Sequence, residues 1–281
     1  MPSTYAHFKA GQAVRAQLQG DARRVVEAHL PLYQIGLHGP DILFYYKPYG
    51  KNRVNRTGYR LHEKSGASFF SFAAKALRSH PQPDAALAYL YGVVCHFALD
   101  VTCHGYIAAA MARTGLSHAE VEVELDRALL ARDGMDPVRA HLAGHIAPTR
   151  ENAAVIQDFY PGVSAEEVYK ALRGFVFYSE LLRAPSPLKR RALMAAFRAA
   201  GCWREMHGMV VNYRPDPRCV ESTARLLELY EQGEALALRL AEEYGAYLSG
   251  AAPLDAVYRF NFESEKTADG GEQDEIQTDE G

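Results

Sequence analysis

The 281-residue chain is 48% hydrophobic and 23% charged, which allows one large buried core and excludes a chain disordered throughout. Its formal charge of −3 is uneven: the eight acids and one base after Phe262 carry −7, leaving +4 on the body. A mildly basic body suits an anionic ligand but is too weakly charged to indicate specific nucleic-acid binding. The opening Met-Pro-Ser-Thr-Tyr-Ala-His lacks the apolar stretch and cleavage site of a signal peptide, and no uninterrupted apolar run approaches bilayer-spanning length. A cytoplasmic protein with no transmembrane segment is therefore expected. Cys95, Cys103, Cys202 and Cys219 show no CxxC spacing and are expected to be buried thiols.

Helical periodicity runs through most of the chain and β patterns are scarce. A first helix is expected over 8–29, built on Phe8, Val14, Leu18 and Val25. Gly39-Pro40 then starts a short helix at Asp41, with Pro at a favoured first position. The polar stretch 47–60, containing Pro48, Gly50 and Gly58, reads as a loop. Helices follow over 63–79 and 84–112, the second apolar on nearly all sides as a central helix should be. Ser117 and Glu120 have capping-box spacing for the next helix. Others are expected over 137–145, 150–158, 164–183, 187–200 and 218–249. Residues 1–262 form one domain without internal repeats, and the acidic, Gly-rich 263–281 is expected to be disordered.

The chemistry concentrates in the first half. His96, Asp100 and His104 follow one another at four-residue steps, which places them in a slanted row on one helix face. Imidazole and carboxylate are ligands that Zn²⁺ favours. A charged Asp surrounded by Cys95, Phe97, Ala98, Leu99 and Cys103 costs several kcal/mol unless it is paired or metal-bound. His118 and Glu122 repeat the four-residue step on the next helix, and an antiparallel helix pair would bring the two rows face to face. His7, Asp41 and His62 lie upstream, with Asp41 at a helix start, where the dipole favours a carboxylate.

The series Ser-Thr-Tyr-Ala-His7, Gly-Pro-Asp41, Leu-His62, His96-x-x-x-Asp100, His104 and His118-x-x-x-Glu122 resembles the zinc-dependent phospholipases C of bacteria in residue type and order over residues 1–130. The resemblance implies an all-α, multi-helix bundle of the phospholipase C/nuclease type holding two or three zinc ions. Asp41, His62, His96 and Asp100 would hold one, and His104, His118 and Glu122 a second. His7, a bridging Asp100 and the N-terminal amine would hold the third. Secreted members begin with a Trp that supplies this amine, so removal of Met1 is expected to leave Pro2 in that role. The Asp100–His104 spacing is two residues shorter than in the secreted enzymes.

The implied activity is zinc-dependent hydrolysis of a phospholipid or related phosphodiester, with Asp41 as candidate for orienting or deprotonating the attacking water. Five bases and no acid lie between Lys47 and Arg60. Tyr59, Arg56 and Arg60 are therefore candidates for substrate binding, with transient contact at a membrane surface. Tyr59 precedes His62 by three, where choline-binding members carry an aromatic residue. Ile42 replaces the Tyr that follows their Asp, however, so phosphatidylcholine specificity is not implied. A three-zinc nuclease or nucleotidase on the same scaffold is the alternative enzyme, although such nucleases end their ligand series with Asp rather than Glu122. A non-catalytic, metal-binding regulatory protein is the alternative outside enzymes. His38 is a candidate neighbour of the ligands, His141 and His145 read as a solvated helix face, and His29, His80 and His207 read as unpaired.

Overall fold

The chain folds around its longest helix, Pro83–Thr114, in a computed structural model that describes residues 3–267. Twelve α-helices are present among these residues: α1 (Thr4–Gln17), α2 (Gly20–Ala28), α3 (Leu30–Gly36), α4 (Arg53–Glu63), α5 (Gly66–Arg78), α6 (Pro83–Thr114), α7 (His118–Arg132), α8 (Arg150–Ile156), α9 (Ala165–Leu182), α10 (Pro187–Ala199), α11 (Trp203–Met206) and α12 (Val220–Leu248). Short 3₁₀ segments join them, and the only β pairings among the described residues are isolated bridges, Ser65 with Asn261 and Phe260 with Lys266. The fold is all-α.

Helix α6 is apolar on nearly every side because it is surrounded: α3, α12, α1 and α2 all pack on it. By length and hydropathy alone it could cross a bilayer, yet 83% of that stretch is buried inside the bundle, so it is the core helix. The main core gathers Tyr33, Phe69, Phe70, Tyr89, Phe97, Phe159, Tyr160 and Tyr244 around it. A smaller cluster, including Leu99, Ile107, Val121, Leu125 and Tyr230, joins α6, α7 and α12. A third, with Leu193 and Phe197, holds α10 and α11 together.

Helix α6 ends at Gly115, whose φ of 69° stops it, since a residue with a side chain adopts this left-handed conformation reluctantly. Ser117 then caps α7 through a reciprocal capping box with Glu120, as the spacing implies. The tight connection returns α7 against α6, placing the ring of His118 5.0 Å from that of His104.

Four local expectations are corrected. The first helix is two, because Leu18 swings to an extended ψ of 144°. The loop over 47–60 ends early: Asn52 caps α4 in a reciprocal box with Asn55, and Val54 and Leu61 turn inward, so Arg53, Arg56, Tyr59 and Arg60 are helical. Residues 137–145 form turns rather than a helix, with Asp136 Oδ1 accepting from the Val138 amide. Residues 263–267, expected to open a disordered tail, are folded back: the Asn261 amide donates to Glu265 O at 2.9 Å and Thr267 N to Arg259 O at 3.1 Å. The remainder of the expected tail, 268–281, lies outside the described residues.

Helices α3 and α6 touch backbone to backbone. A Cβ on Gly92 would lie 2.2 Å from Tyr33 O and 2.8 Å from Gly36 Cα. Gly92→Ala is therefore expected to lower the unfolding free energy by about 3 kcal/mol, the upper end of overpacking penalties, in urea titrations. Gly50→Ala, where a Cβ meets nothing within 4 Å, should leave it nearly unchanged.

Candidate metal centre

The row on α6 is the floor of the site. Asp100 is buried and approached by three imidazoles: His96 Nε2 at 3.0 Å, His7 Nε2 at 3.3 Å and His104 Nε2 at 3.5 Å. His96 and His104 come from one turn on either side of Asp100, and His7 comes from α1. Across from them the Gly39–Tyr45 turn carries Asp41, whose Oδ1 lies 2.9 Å from Nε2 of His62 on α4. Gly39, at φ 45°, makes this approach possible, because a Cβ there would stand 2.4 Å from the His96 ring. On α7, Glu122 Oε1 lies 3.2 Å from His118 Nε2 and 3.6 Å from His104 Nε2.

Three groups result, each with candidate ligand atoms within 4.8 Å of one another: His7, His96 and Asp100; Asp41, His62 and His96; His104, His118 and Glu122. All eight side chains expected as ligands therefore converge. Tyr59, Arg56 and Arg60 stand outside the cluster, exposed on the outer side of α4. Tyr59 reaches toward it through a ring relay, packing 4.5 Å from Phe44, which lies 5.3 Å from His62. The proposed amine of Pro2 lies outside the described residues.

The chemistry of these atoms fits metal ions. His96 Nε2 and Asp100 Oδ2 sit 3.0 Å apart, yet both are buried without a hydrogen-bond partner, as is Asp41 Oδ1 beside His62. They are close but not aligned, as lone pairs aimed at a shared cation would be. The far sides of two imidazoles are fixed: His62 Nδ1 donates to Gly58 O at 2.8 Å and His104 Nδ1 to Phe262 O at 2.7 Å. In a neutral imidazole this leaves the Nε2 lone pair facing a carboxylate oxygen, two acceptors that need a proton or a metal between them.

Without metal, protons would fill that role. Burial alone pushes the Asp100 carboxyl up, but His96, His104 and His7 hold it well below the usual range, and His118 and His104 do the same for Glu122. Burial lowers His104, yet Asp100 and Glu122 outweigh it and raise it to about 10. His7, His62 and His118 are raised as well.

Three contributors escape sequence reasoning. Asp126, buried on α7, accepts from the amides of Tyr5 at 3.0 Å and Ala6 at 2.8 Å, capping α1 where it enters the site. Burial raises its carboxyl to about 7 despite these bonds. A signal is present, as Asp126 is the next four-residue step after His118 and Glu122. Phe262 packs its ring 5.4 Å from His62 and 5.8 Å from His96 while its carbonyl holds His104. Glu263 Oε2 lies 3.7 Å from His104 Nδ1. Both adjoin a run that reads as an acidic tail.

Other histidines are placed differently from expectation. His145 is not on a helix: its Nε2 meets His38 Nε2 at 2.7 Å, and Phe8 stacks on its ring. His141 is exposed and binds Glu180. His80 lies 3.3 Å from Val155 O and 3.5 Å from Asp158, and His207 Nδ1 donates to Trp203 O, so neither is unpaired.

Two outcomes are expected. Asp100→Asn, which removes the charge shared by three imidazoles, should reduce bound zinc by at least one ion per chain in metal analysis while keeping the helical circular dichroism. In chelator, stability should depend on pH in both directions. His104, at about 10 when folded against an ordinary 6.5, contributes stability that is complete below pH 6.5 and lost as pH rises through about 10. Asp100 and Glu122, held below their ordinary 3.8 and 4.5, contribute stability present above those values and lost in acid. The melting temperature of the metal-free chain should therefore fall between pH 6.5 and about 10, and zinc should flatten that fall by replacing the protons.

The family model for zinc dependent phospholipase C matches residues 6–172, more than half of the chain and a span that contains all eight converging side chains. No curated protein and no solved structure matches it. The order of ligand types, their convergence into three groups around Asp100 and the extent of the family match agree: the chain belongs to the zinc-dependent phospholipase C family.

Proposed function

We propose that the protein is a zinc-dependent phosphodiesterase of the phospholipase C type, cleaving a phospholipid or a closely related phosphodiester. The observation that carries this reading is that the three ligand groups adjoin: the first two share His96, and His104 of the third lies 3.5 Å from the buried Asp100 of the first. A purely structural zinc site closes around a single ion, whereas adjoining sites suit phosphoryl chemistry.

His7 and Asp100 would hold one ion, Asp41, His62 and His96 with the second oxygen of Asp100 another, and His104, His118 and Glu122 the next. Bound zinc supplies the acidity that makes water a nucleophile near neutral pH and polarises phosphoryl oxygens. The residues do the rest. Asp41, Asp100 and Glu122 bring three negative charges, enough to retain dications yet few enough to leave surplus positive charge for an anionic diester. Asp41, on the turn facing the α6 row, would orient the attacking water and take its proton in addition to meeting a metal beside His62. Gly58 O and Phe262 O fix His62 and His104, so their rings need not reorganise during the reaction. Arg56, Tyr59 and Arg60 line the outer approach, where cationic and aromatic groups would meet a phosphate head group. The ligand series ends in Glu122 rather than Asp, which favours a lipid diester over nucleic acid.

The test is the purified zinc-loaded protein on phospholipid, bis-nitrophenyl phosphate and single-stranded DNA. Release of diacylglycerol and a phosphorylated head group is expected, with the DNA left intact. Asp41→Asn should lower turnover by about 10²–10⁴-fold if the residue handles the water's proton. Full metal occupancy with no hydrolysis of any of the three would instead identify a metal-binding protein without turnover.

A further inference from the structure

A cleft that none of the eight metal ligands lines opens along α10. It encloses about 420 Å³ between Pro187, Arg190, Arg191, Met194 and Arg198 of α10 and Tyr213 of the segment before α12, a volume ordinary for small-molecule sites. Steps of three and four residues place the α10 members on one face. Leu193 and Phe197 pack inward with Trp203 and Met206, so the arginine face is left to the cleft. A second cleft adjoins it, sharing Arg190 and Tyr213 and adding Arg214. The segment carrying Tyr213 is tied to α7: Asn212 Nδ2 donates to Glu124 Oε1 at 3.2 Å and Asp216 N to Glu124 Oε2 at 3.1 Å.

The guanidiniums here have no carboxylate among their described partners. Arg190 is half-buried, and its donors go to neutral oxygens, Val211 O at 2.5 Å and Asn212 Oδ1 at 2.8 Å. Burial pushes this guanidinium below its ordinary range, and no acid offsets the cost. Arg191 and Arg214 are exposed and meet no acid among the described residues. Arg198 lies over the Trp203 ring, 3.7 Å from its centroid, and Arg190 over the Tyr213 ring at 5.0 Å. The neighbouring acids are engaged elsewhere, Asp216 with Arg218 at 2.6 Å and Glu124 with Asn212 and the Asp216 amide. Exposed arginines in other parts of the chain do meet acids, as Arg24 meets Asp84, Arg150 Glu166 and Arg239 Asp255. Positive charge left uncompensated around a concavity of ligand size calls for an anion supplied from outside.

We infer that the cleft lined by Arg190, Arg191 and Arg198 is a binding site for a small, soluble, multiply charged phosphate anion, separate from the metal cluster. A carboxylate offers two oxygens and would leave part of this arginine set unpaired, whereas linked phosphates present enough oxygens for several planar guanidinium forks. Arg190 and Arg198 are already propped on aromatic rings, so little side-chain freedom remains to be lost on binding. The cleft lies outside residues 6–172, the span of the family match, and its occupancy does not depend on whether the metal cluster cleaves a diester.

Trp203 is the sole tryptophan and lies beneath Arg198, so its emission reports on the cleft without a label. The experiment is titration of the zinc-loaded full chain with sodium pyrophosphate at constant ionic strength, read by Trp203 emission and by calorimetry. A saturable change in emission is expected. Arg191→Glu should weaken binding by about ten-fold or more, as a charge-assisted contact turned repulsive would. Arg191→Lys keeps the charge but loses the fork and should weaken it by a smaller factor. Arg204→Glu makes the same charge change at an exposed α11 residue that does not line the cleft, and binding should stay within about two-fold. Equal weakening by Arg204→Glu and Arg191→Glu would reduce the effect to general charge attraction and overturn the site. Binding heat unaltered by Arg191→Glu would place pyrophosphate on the metal cluster and overturn it as well. An unchanged Trp203 emission, or one that responds to phosphatidylserine vesicles or single-stranded DNA but not to pyrophosphate, would do the same.

Discussion

The molecule depends on a single buried charge. Asp100 sits in the middle of α6, the most enclosed helix of the bundle, where an unpaired carboxylate would be costly by several kcal/mol. The fold answers by surrounding it with imidazoles from two elements: His96 and His104 of its own helix and His7 of α1. These imidazoles meet further carboxylates in turn, His104 facing Glu122 of α7 and His96 grouping with Asp41 and His62. The ligands offset one another's charge without all being hydrogen-bonded, and each is already near the place where a metal would be shared. Burial and function are set by the same contacts.

Such a cluster needs rigid surroundings, because an error of an ångström separates shared ligation from a set of ordinary hydrogen bonds. Helix α3 is locked on α6 through the Gly36–Gly92 contact, the chain then turns at Gly39 against the His96 ring, and Asp41 follows two residues later. The left-handed Gly115 and the Ser117–Glu120 box bring α7 back in register with α6. Asp126 completes the circuit by capping α1 from α7, so the helix carrying His7 is fixed to the helix carrying Glu122. Unsatisfied polar atoms of His7, Asp41, His96 and Asp100 gather at the centre of this frame, where a metal would satisfy them.

Much of this arrangement is legible in the amino-acid sequence. Four-residue steps at His96, Asp100, His104 and at His118, Glu122 fix which side chains share a helix face, because helical geometry is local. The antiparallel return follows from the capping box and one short connection. What stays hidden has equally physical reasons. The helix over Arg53–Glu63 is masked by Gly58, which reads as a breaker but packs 3.1 Å, in terms of a Cβ placed there, from Phe44. Pro137 and the turn-forming residues around Gly144 defeat a helix that periodicity alone suggests. The contacts of Phe262 and Glu263 with His104 span more than 150 residues, and no local pattern encodes such a contact.

That last contact has a wider consequence. The family match stops at residue 172, yet α12 packs along α6, the Ser264 hydroxyl donates to Asp100 O and Val101 O, and Phe262 O orients His104. The final third of the chain therefore closes the back of a site whose ligands all lie in the first half. Because Phe262 is simultaneously part of the aromatic core with Phe69 and Phe97, loosening of this segment would disturb His104 and the core together. A metal held by His104, His118 and Glu122 would stabilise the closed arrangement by mass action, binding the folded chain in preference to the unfolded one. Folding of the C-terminal segment and metal affinity would then be coupled through the Phe262 carbonyl that orients His104.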